Sequence, residues 1–277
     1  MSSFRSPGGP LGGLCCEADG GCRVGHNEVE FGSSTIHSLF YTPGQSFPKA
    51  HEWGCIAAVA WGGSRAMDYL EMKEPLIDAS RVAVMGHSKM GKAALWTAAS
   101  DTRFAMAVGS QSGCAGAALW RRTFGETLEK MATRFPYWLC RNAQKFVGQE
   151  DDLPIDQHAL LACIAPRPVY IHSGADDTWA DPLGEYLGAH EACPAYNLLG
   201  KSTALGSATP PPLGEPVLDG HVGYHCRPGG HSMEDYDWVS PTPSFEVHTS
   251  SLEAGKEKVK CWATGALYGL CGAALEG

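Results

Sequence analysis

The sequence predicts an α/β fold, a parallel sheet with helices packed on it as a three-layer sandwich, and three observations predict it. Arg81-Val82-Ala83-Val84-Met85 is a short apolar run of the kind a buried strand needs, and the helical run Ala93 to Ala99 follows it closely. Pro168-Val169-Tyr170-Ile171-His172-Ser173 is a second buried-strand run. Val222-Gly223-Tyr224-His225-Cys226 is a third, and both open into loops rich in polar residues and glycine. Strands that alternate with helices favour crossover units and a parallel sheet. At 277 residues the chain has room for one large domain with a sizeable core.

From the N-terminus, Ser6 to Gly25 is rich in Gly, Pro and Cys, and only Val29-Glu30-Phe31 and Ile36 to Tyr41 suggest extended structure before residue 46. Residues 1–45 are therefore expected to be poorly structured, 46–245 to form the folded domain and 246–277 a tail. Gly54 to Leu70, with Ile56, Val59, Ala60, Met67 and Leu70, has the spacing of a helix packed on a sheet. Gly200 to Pro216, with Pro210, Pro211 and Pro212 in succession, is expected as a surface loop, and Leu252 to Lys260 as a short helix.

The most informative stretch is Gly86-His87-Ser88-Lys89-Met90-Gly91-Lys92, between the first strand and its helix. A serine in such a turn, flanked by small residues, is the nucleophile elbow of α/β-hydrolases. The turn holds the hydroxyl clear of the sheet and puts the next backbone N–H at a helix N-terminus, where an oxyanion is stabilised. A capping serine at an ordinary corner is the plainer alternative. The later loops favour the elbow. Gly174-Ala175-Asp176-Asp177 places two carboxylates at a strand's C-terminal end, and Arg227-Pro228-Gly229-Gly230 leads to His231 at a loop tip. Ser88, then Asp176 or Asp177, then His231 is the chain order of the hydrolase triad, in which the histidine takes the serine proton and the acid orients the imidazolium.

These and other words together resemble the glucuronoyl esterases of carbohydrate esterase family 15, the bacterial-type branch. The matching words are Gly86-His87-Ser88-x-x-Gly91-Lys92, Ser112-Gly113-Cys114-x-Gly116-Ala117-Ala118-Leu119, Phe135-Pro136-Tyr137-Trp138 and Leu153-Pro154-Ile155-Asp156-Gln157-His158. Ile164-Ala165-Pro166-Arg167-Pro168, Trp179-Ala180-Asp181-Pro182 and Arg227-Pro228-Gly229-x-His231 continue the series. The resemblance implies hydrolysis, without a cofactor, of the ester between 4-O-methyl-glucuronic acid groups of xylan and lignin alcohols. It implies Ser88 as nucleophile, His231 as base and Asp177 as acid, with Asp176 the alternative. Some members take the acid from a glutamate before the Ser-Gly-x-Gly-Gly word, where this chain has the uncharged Gln111. Lys92 and Trp179 fall at sugar-contacting positions, where an ammonium is a point donor and an indole an apolar wall. Arg134 and Asn142 fall nearest the expected sugar-contacting Gln and Glu. After the nucleophile the family carries arginine. Lys89 keeps the charge for the oxyanion but lacks the planar fork. The region before the elbow strand is short for the family, so the N-terminal edge of the sheet is expected to be truncated or replaced.

The net charge of −9 and the lack of a basic stripe argue against a nucleic-acid partner. Lys89, Lys92, Arg121, Arg122 and Arg134 are the local cations that could recruit a uronate, although Arg121-Arg122 could equally be a salt-bridged face. No run of eighteen apolar residues exists, so no membrane span is expected, and Met1 to Leu14 has no apolar core of a signal peptide, although the family acts outside the cell. Eleven cysteines is an odd number, and none has zinc-site spacing, so no metal is expected. Cys15, Cys16 and Cys22 are expected in a reactive, disordered tail, and Cys114, Cys163 and Cys226 as small core residues. A monomer acting on a glucuronic-acid ester carbohydrate is expected.

Overall fold

The computed structural model describes residues 36–45, 48–73, 75 and 77–239, together with the short strands β1 (Cys15–Cys16), β2 (Cys22–Arg23) and β7 (Trp262–Thr264). Between them, in order, come α1 (Cys55–Lys73), β3 (Ala83–His87), α2 (Lys89–Ser100), β4 (Met106–Ser110), α3 (Leu128–Arg134), α4 (Gln157–Ala162), β5 (Val169–Gly174), α5 (Pro182–Leu198), β6 (Val222–Arg227) and α6 (Asp235–Val239). The main sheet has the order β6-β5-β4-β3-β7 with every pair parallel, and β1 pairs antiparallel with β2 in a separate ladder. This is the expected α/β-hydrolase architecture. Among the described residues no segment before Ala83 joins the main sheet, and β3 takes β7 as its outer neighbour instead.

Strand alternation divides the core. Val82, Val84, Ala107, Val169, Ile171, Val222 and Tyr224 point to one face, where they meet Leu95 and Ala98 of α2, Leu160 and Leu161 of α4, and Tyr186, Ala189 and Tyr196 of α5. Each such fully buried aliphatic side chain contributes about 1.5–3 kcal/mol. Gly109 lets α2 close on this face, because a Cβ there would stand 2.9 Å from the Leu95 side chain. Ala83, Met85, Met106, Val108 and Tyr170 point to the other face, against Leu218 and Met233. The third layer is represented among the described residues by α6, whose Asp237 reaches His172 and His225 on this same face.

The expected Gly54–Leu70 helix is α1, which buries Ile56, Val59, Ala60 and Met67 on one stripe. Three expectations differ. Ile36–Phe40 is a 3-10 helix rather than extended, and its Phe40 packs edge-on and its His37 tilted against Trp53, so aromatic packing overrides the β-branched start. Cys15–Cys16 and Cys22–Arg23 pair as strands inside the segment expected to lack structure. Cys114 is buried as expected, but Cys163 is exposed and Cys226 only half-buried, because Cys163 caps the end of α4. Gly200–Pro216 is loop, touched by isolated bridges at its margins. Val29–Phe31 and Leu252–Lys260 lie outside the described residues. No helix among those described is long and apolar enough to cross a membrane.

Candidate active site

The elbow forms where β3 turns directly into α2. Ser88 caps α2 with φ 55°, in the left-handed region that non-glycine residues rarely adopt, so the turn is locally strained. The turn closes because Gly86 has no side chain; a Cβ there would stand 2.1 Å from the Met90 carbonyl oxygen. The Ser88 N–H is anchored to the Ser110 carbonyl at 2.9 Å, and Lys89 opens the helix with its own N–H beside the serine.

Three side chains from distant loops meet at this turn. The Ser88 hydroxyl and His231 Nε2 are 2.8 Å apart, and His231 Nδ1 stands 2.6 Å from Asp177 Oδ2. With the Nδ1 proton donated to the carboxylate, Nε2 is free to accept from the serine. Asp177 is buried, and its other oxygen accepts the Ala180 N–H at 3.1 Å. Asp176 is exposed, and its N–H is bonded to the Gly229 carbonyl. Gly174 lets the two loops touch, since a Cβ there would lie 2.6 Å from the Gly230 carbonyl oxygen. The His87 ring lies 4.6 Å from that of His231, centroid to centroid. Burial, then the neighbouring His231 and His172 rings, push the His87 pKa down to about 4, so it is neutral beside the triad.

Lys92 is buried on α2. Its ammonium donates to the Ser112 carbonyl at 2.5 Å, the Cys114 carbonyl at 2.8 Å and Glu126 Oε2 at 2.5 Å. Its three protons therefore have protein acceptors, and Glu126 is its ion-pair partner. Glu126 is in turn tied to Trp179 by a backbone bond of 2.8 Å. Trp179 is half-buried, with Arg134 and Lys130 at 5.1 and 5.5 Å from its ring centroid. Lys89 and Lys92 each stand 5.8 Å from the Trp138 ring centroid. Asn142 sits on a 3-10 turn (Arg141–Phe146), its N–H bonded to Ala50, and no described contact joins it to Ser88, Lys92 or Trp179. Arg122 makes two bonds to Asp181, and Arg121 bonds Leu153 and pairs with Asp156, which favours the salt-bridged reading of that pair.

Sequence reasoning missed Glu126. Its partner is 34 positions away, and an acid in Phe124-Gly125-Glu126 carries no local signal. It also missed Glu185, which is fully enclosed under the site and accepts from Ser112 Oγ, the Gly113 N–H and Ser173 Oγ. Burial pushes its pKa up to about 7. A second cluster, His172, His225 and Asp237, has the residue types of a metal site. The cation already facing its carboxylate is Arg227, with Nε 2.7 Å from Asp237 Oδ2, so a dication there would meet a buried like charge.

A hydroxyl–imidazole–carboxylate array at the C-terminal edge of a parallel sheet has the geometry of the triad in α/β-hydrolase folds. The profile of the family described as "Glucuronyl esterase, fungi" matches residues 27–200. The chain belongs to the glucuronoyl esterase family. It is 46% identical over 211 residues to carbohydrate esterase MZ0003 of an unknown prokaryotic organism, covering 76% of this chain and 48% of that one. It is 33% identical over 185 residues to 4-O-methyl-glucuronoyl methylesterase 1 of Phanerochaete chrysosporium, covering 64% and 38%. The solved glucuronoyl esterase from Solibacter usitatus superposes with a TM-score of 0.69 at 46% identity, over 74% of this chain and 52% of that one. The chain thus spans about half, or less, of the length of these relatives.

Proposed function

We propose that this chain is a carboxylic-ester hydrolase that cleaves 4-O-methyl-glucuronoyl esters, the linkages between glucuronoxylan and lignin alcohols. The observation that carries the proposal is the Ser88–His231–Asp177 relay in a member of this family. In the reaction His231 Nε2 takes the Ser88 proton as Oγ attacks the ester carbonyl. The alcohol leaves with that proton, and water, deprotonated by His231, then releases the uronate from Ser88. Asp177 holds the imidazole and balances its charge. The Lys89 N–H and ammonium face the developing oxyanion. The sugar lies against Trp179, with Arg134 at the outer edge of the indole and Lys92, held by Glu126, on the side of the ring hydroxyls.

Hydrolysis of benzyl D-glucuronate by the purified chain, beside a simple acetate ester and the Ser88→Ala variant, tests this. Turnover of the glucuronate that exceeds that of the acetate and disappears in Ser88→Ala is the expected result. A folded protein with no turnover, or one whose turnover survives Ser88→Ala, would overturn it.

A further inference from the structure

Ser232, the residue after His231, is gripped from two sides. Gln111 Nε2 donates to the Ser232 carbonyl at 2.7 Å, and Gln111 Oε1 accepts the Ser232 N–H at 3.1 Å. Arg227 Nη2 donates to the same carbonyl at 2.5 Å. Among the described hydrogen bonds, none joins either residue to Ser88. Both are buried, and each is fixed at its other end. The Gln111 backbone has φ 43°, and its N–H is bonded to the His172 carbonyl at 2.8 Å. The Arg227 guanidinium is held by Asp237, whose carboxylate also accepts the Glu234 N–H at 2.9 Å and lies 3.1 Å from His225 Nε2. The Tyr170 hydroxyl occupies the other nitrogen of His225 at 2.7 Å.

We infer that Gln111 is a positioning residue that, with Arg227, clamps the Ser232 backbone and so aims His231. The inference rests on the reading of His231 as the base. The N–H and C=O of one residue belong to the two peptide groups that flank its Cα, and a side-chain amide offers the complementary acceptor and donor. Two reciprocal bonds therefore hold both peptide groups flanking Ser232, the first of which is the one that joins it to His231, whereas a single bond would hold only one. The ring of His231 begins one residue away, on a glycine-rich loop with Gly229 at φ 100° that has little stiffness of its own. His231 must satisfy two distances at once, to Ser88 and to Asp177, so small drifts of its backbone are felt at the reacting atoms. At this position the resemblance gives some members a glutamate acting as acid. A carboxylate offers acceptors only and cannot bond the Ser232 carbonyl, so the same position here does a different job.

The test compares wild type, Gln111→Leu and Gln111→Glu as full chains, with three readouts. The first is the downfield proton resonance of His231 Nδ1–H bonded to Asp177, identified by its loss in His231→Ala. The second is kcat and KM on benzyl D-glucuronate, and the third the unfolding temperature. The clamp predicts a broadened or lost resonance in both variants and a kcat lower by about a hundredfold in Gln111→Leu, with KM within about twofold. A resonance and kcat unchanged in a folded Gln111→Glu or Gln111→Leu would overturn it, as would losses confined to KM. If wild type turns over nothing, the esterase reading fails, and the resonance still decides whether Gln111 aims His231.

Discussion

Asp177 and His231 are joined carboxylate to imidazole at 2.6 Å, whereas Asp176, one residue earlier, faces solvent. Two adjacent aspartates thus have different environments, and only one can fix the tautomer of the base. Asp177→Asn is expected to lower kcat by about 10⁴-fold, the scale seen when an orienting carboxylate becomes an amide. Asp176→Asn is expected to stay within about twofold of wild type, as exposed substitutions do. Steady-state kinetics of the two variants settle the assignment, and equal losses would remove Asp177 from its role.

The Lys92–Glu126 pair is a buried ion pair at the site, with side chains 2% and 3% exposed. Removing one partner strands the other charge away from water. Lys92→Met or Glu126→Gln alone should each cost about 3–5 kcal/mol in urea unfolding. The double variant Lys92→Met/Glu126→Leu should lose less than the sum of the two single Lys92→Met and Glu126→Leu losses. Additive losses would show that the two side chains are not coupled.

Half-buried His87 and buried Glu185 make stability depend on pH with opposite signs. His87, depressed from 6.5 to about 4 chiefly by burial, binds its proton less readily when folded, so its contribution is lost as pH falls from 6.5 towards 4. Glu185, raised from 4.5 to about 7 by burial, holds its proton more tightly when folded, so stability declines as pH rises from 4.5 towards 7. Glu185→Gln can keep the bonds from Ser112 and Gly113 while removing the ionisation. Its unfolding temperature relative to wild type should climb between pH 4.5 and 7 and then level off. A difference that does not change with pH would refute the assignment.

Lys89 follows the nucleophile and stands 5.8 Å from the Trp138 ring centroid. Lys89→Arg adds a planar fork that can stack on that indole and donate to the oxyanion at the same time. An increase in kcat of about tenfold with little change in KM is expected, a fraction of what one oxyanion donor contributes. A fall in kcat would mean that the turn is shaped for the ammonium.

Elements with local signals were readable from the chain. The run Arg81–Met85, the elbow at Ser88 and the loops bearing Asp177 and His231 each combine a buried strand with a polar end, and each stands where the sequence placed it. Ile36–Phe40 was misread because its apolar residues serve an aromatic cluster around Trp53 rather than a strand. Glu126, Glu185 and the Ser232 clamp were invisible for a different reason. Their meaning lies in partners 34, 73 and 121 positions away, and nothing in the neighbouring residues reports such pairings. Lys92 was found by its motif, but its burial and its ion pair with Glu126 depended on those distant groups.

His231 keeps 36% of its side chain open to solvent while its acid is sealed beneath it. A relay that ends at the rim is suited to reagents that cannot diffuse. On the proposed esterase reading, the solvent-open histidine leaves room for the alcohol side of the ester to extend into bulk water. A bulkier alcohol is then expected to change the rate less than a change in the uronate does. The rate should also depend on how closely the surface around Ser88 can be pressed against such a reagent.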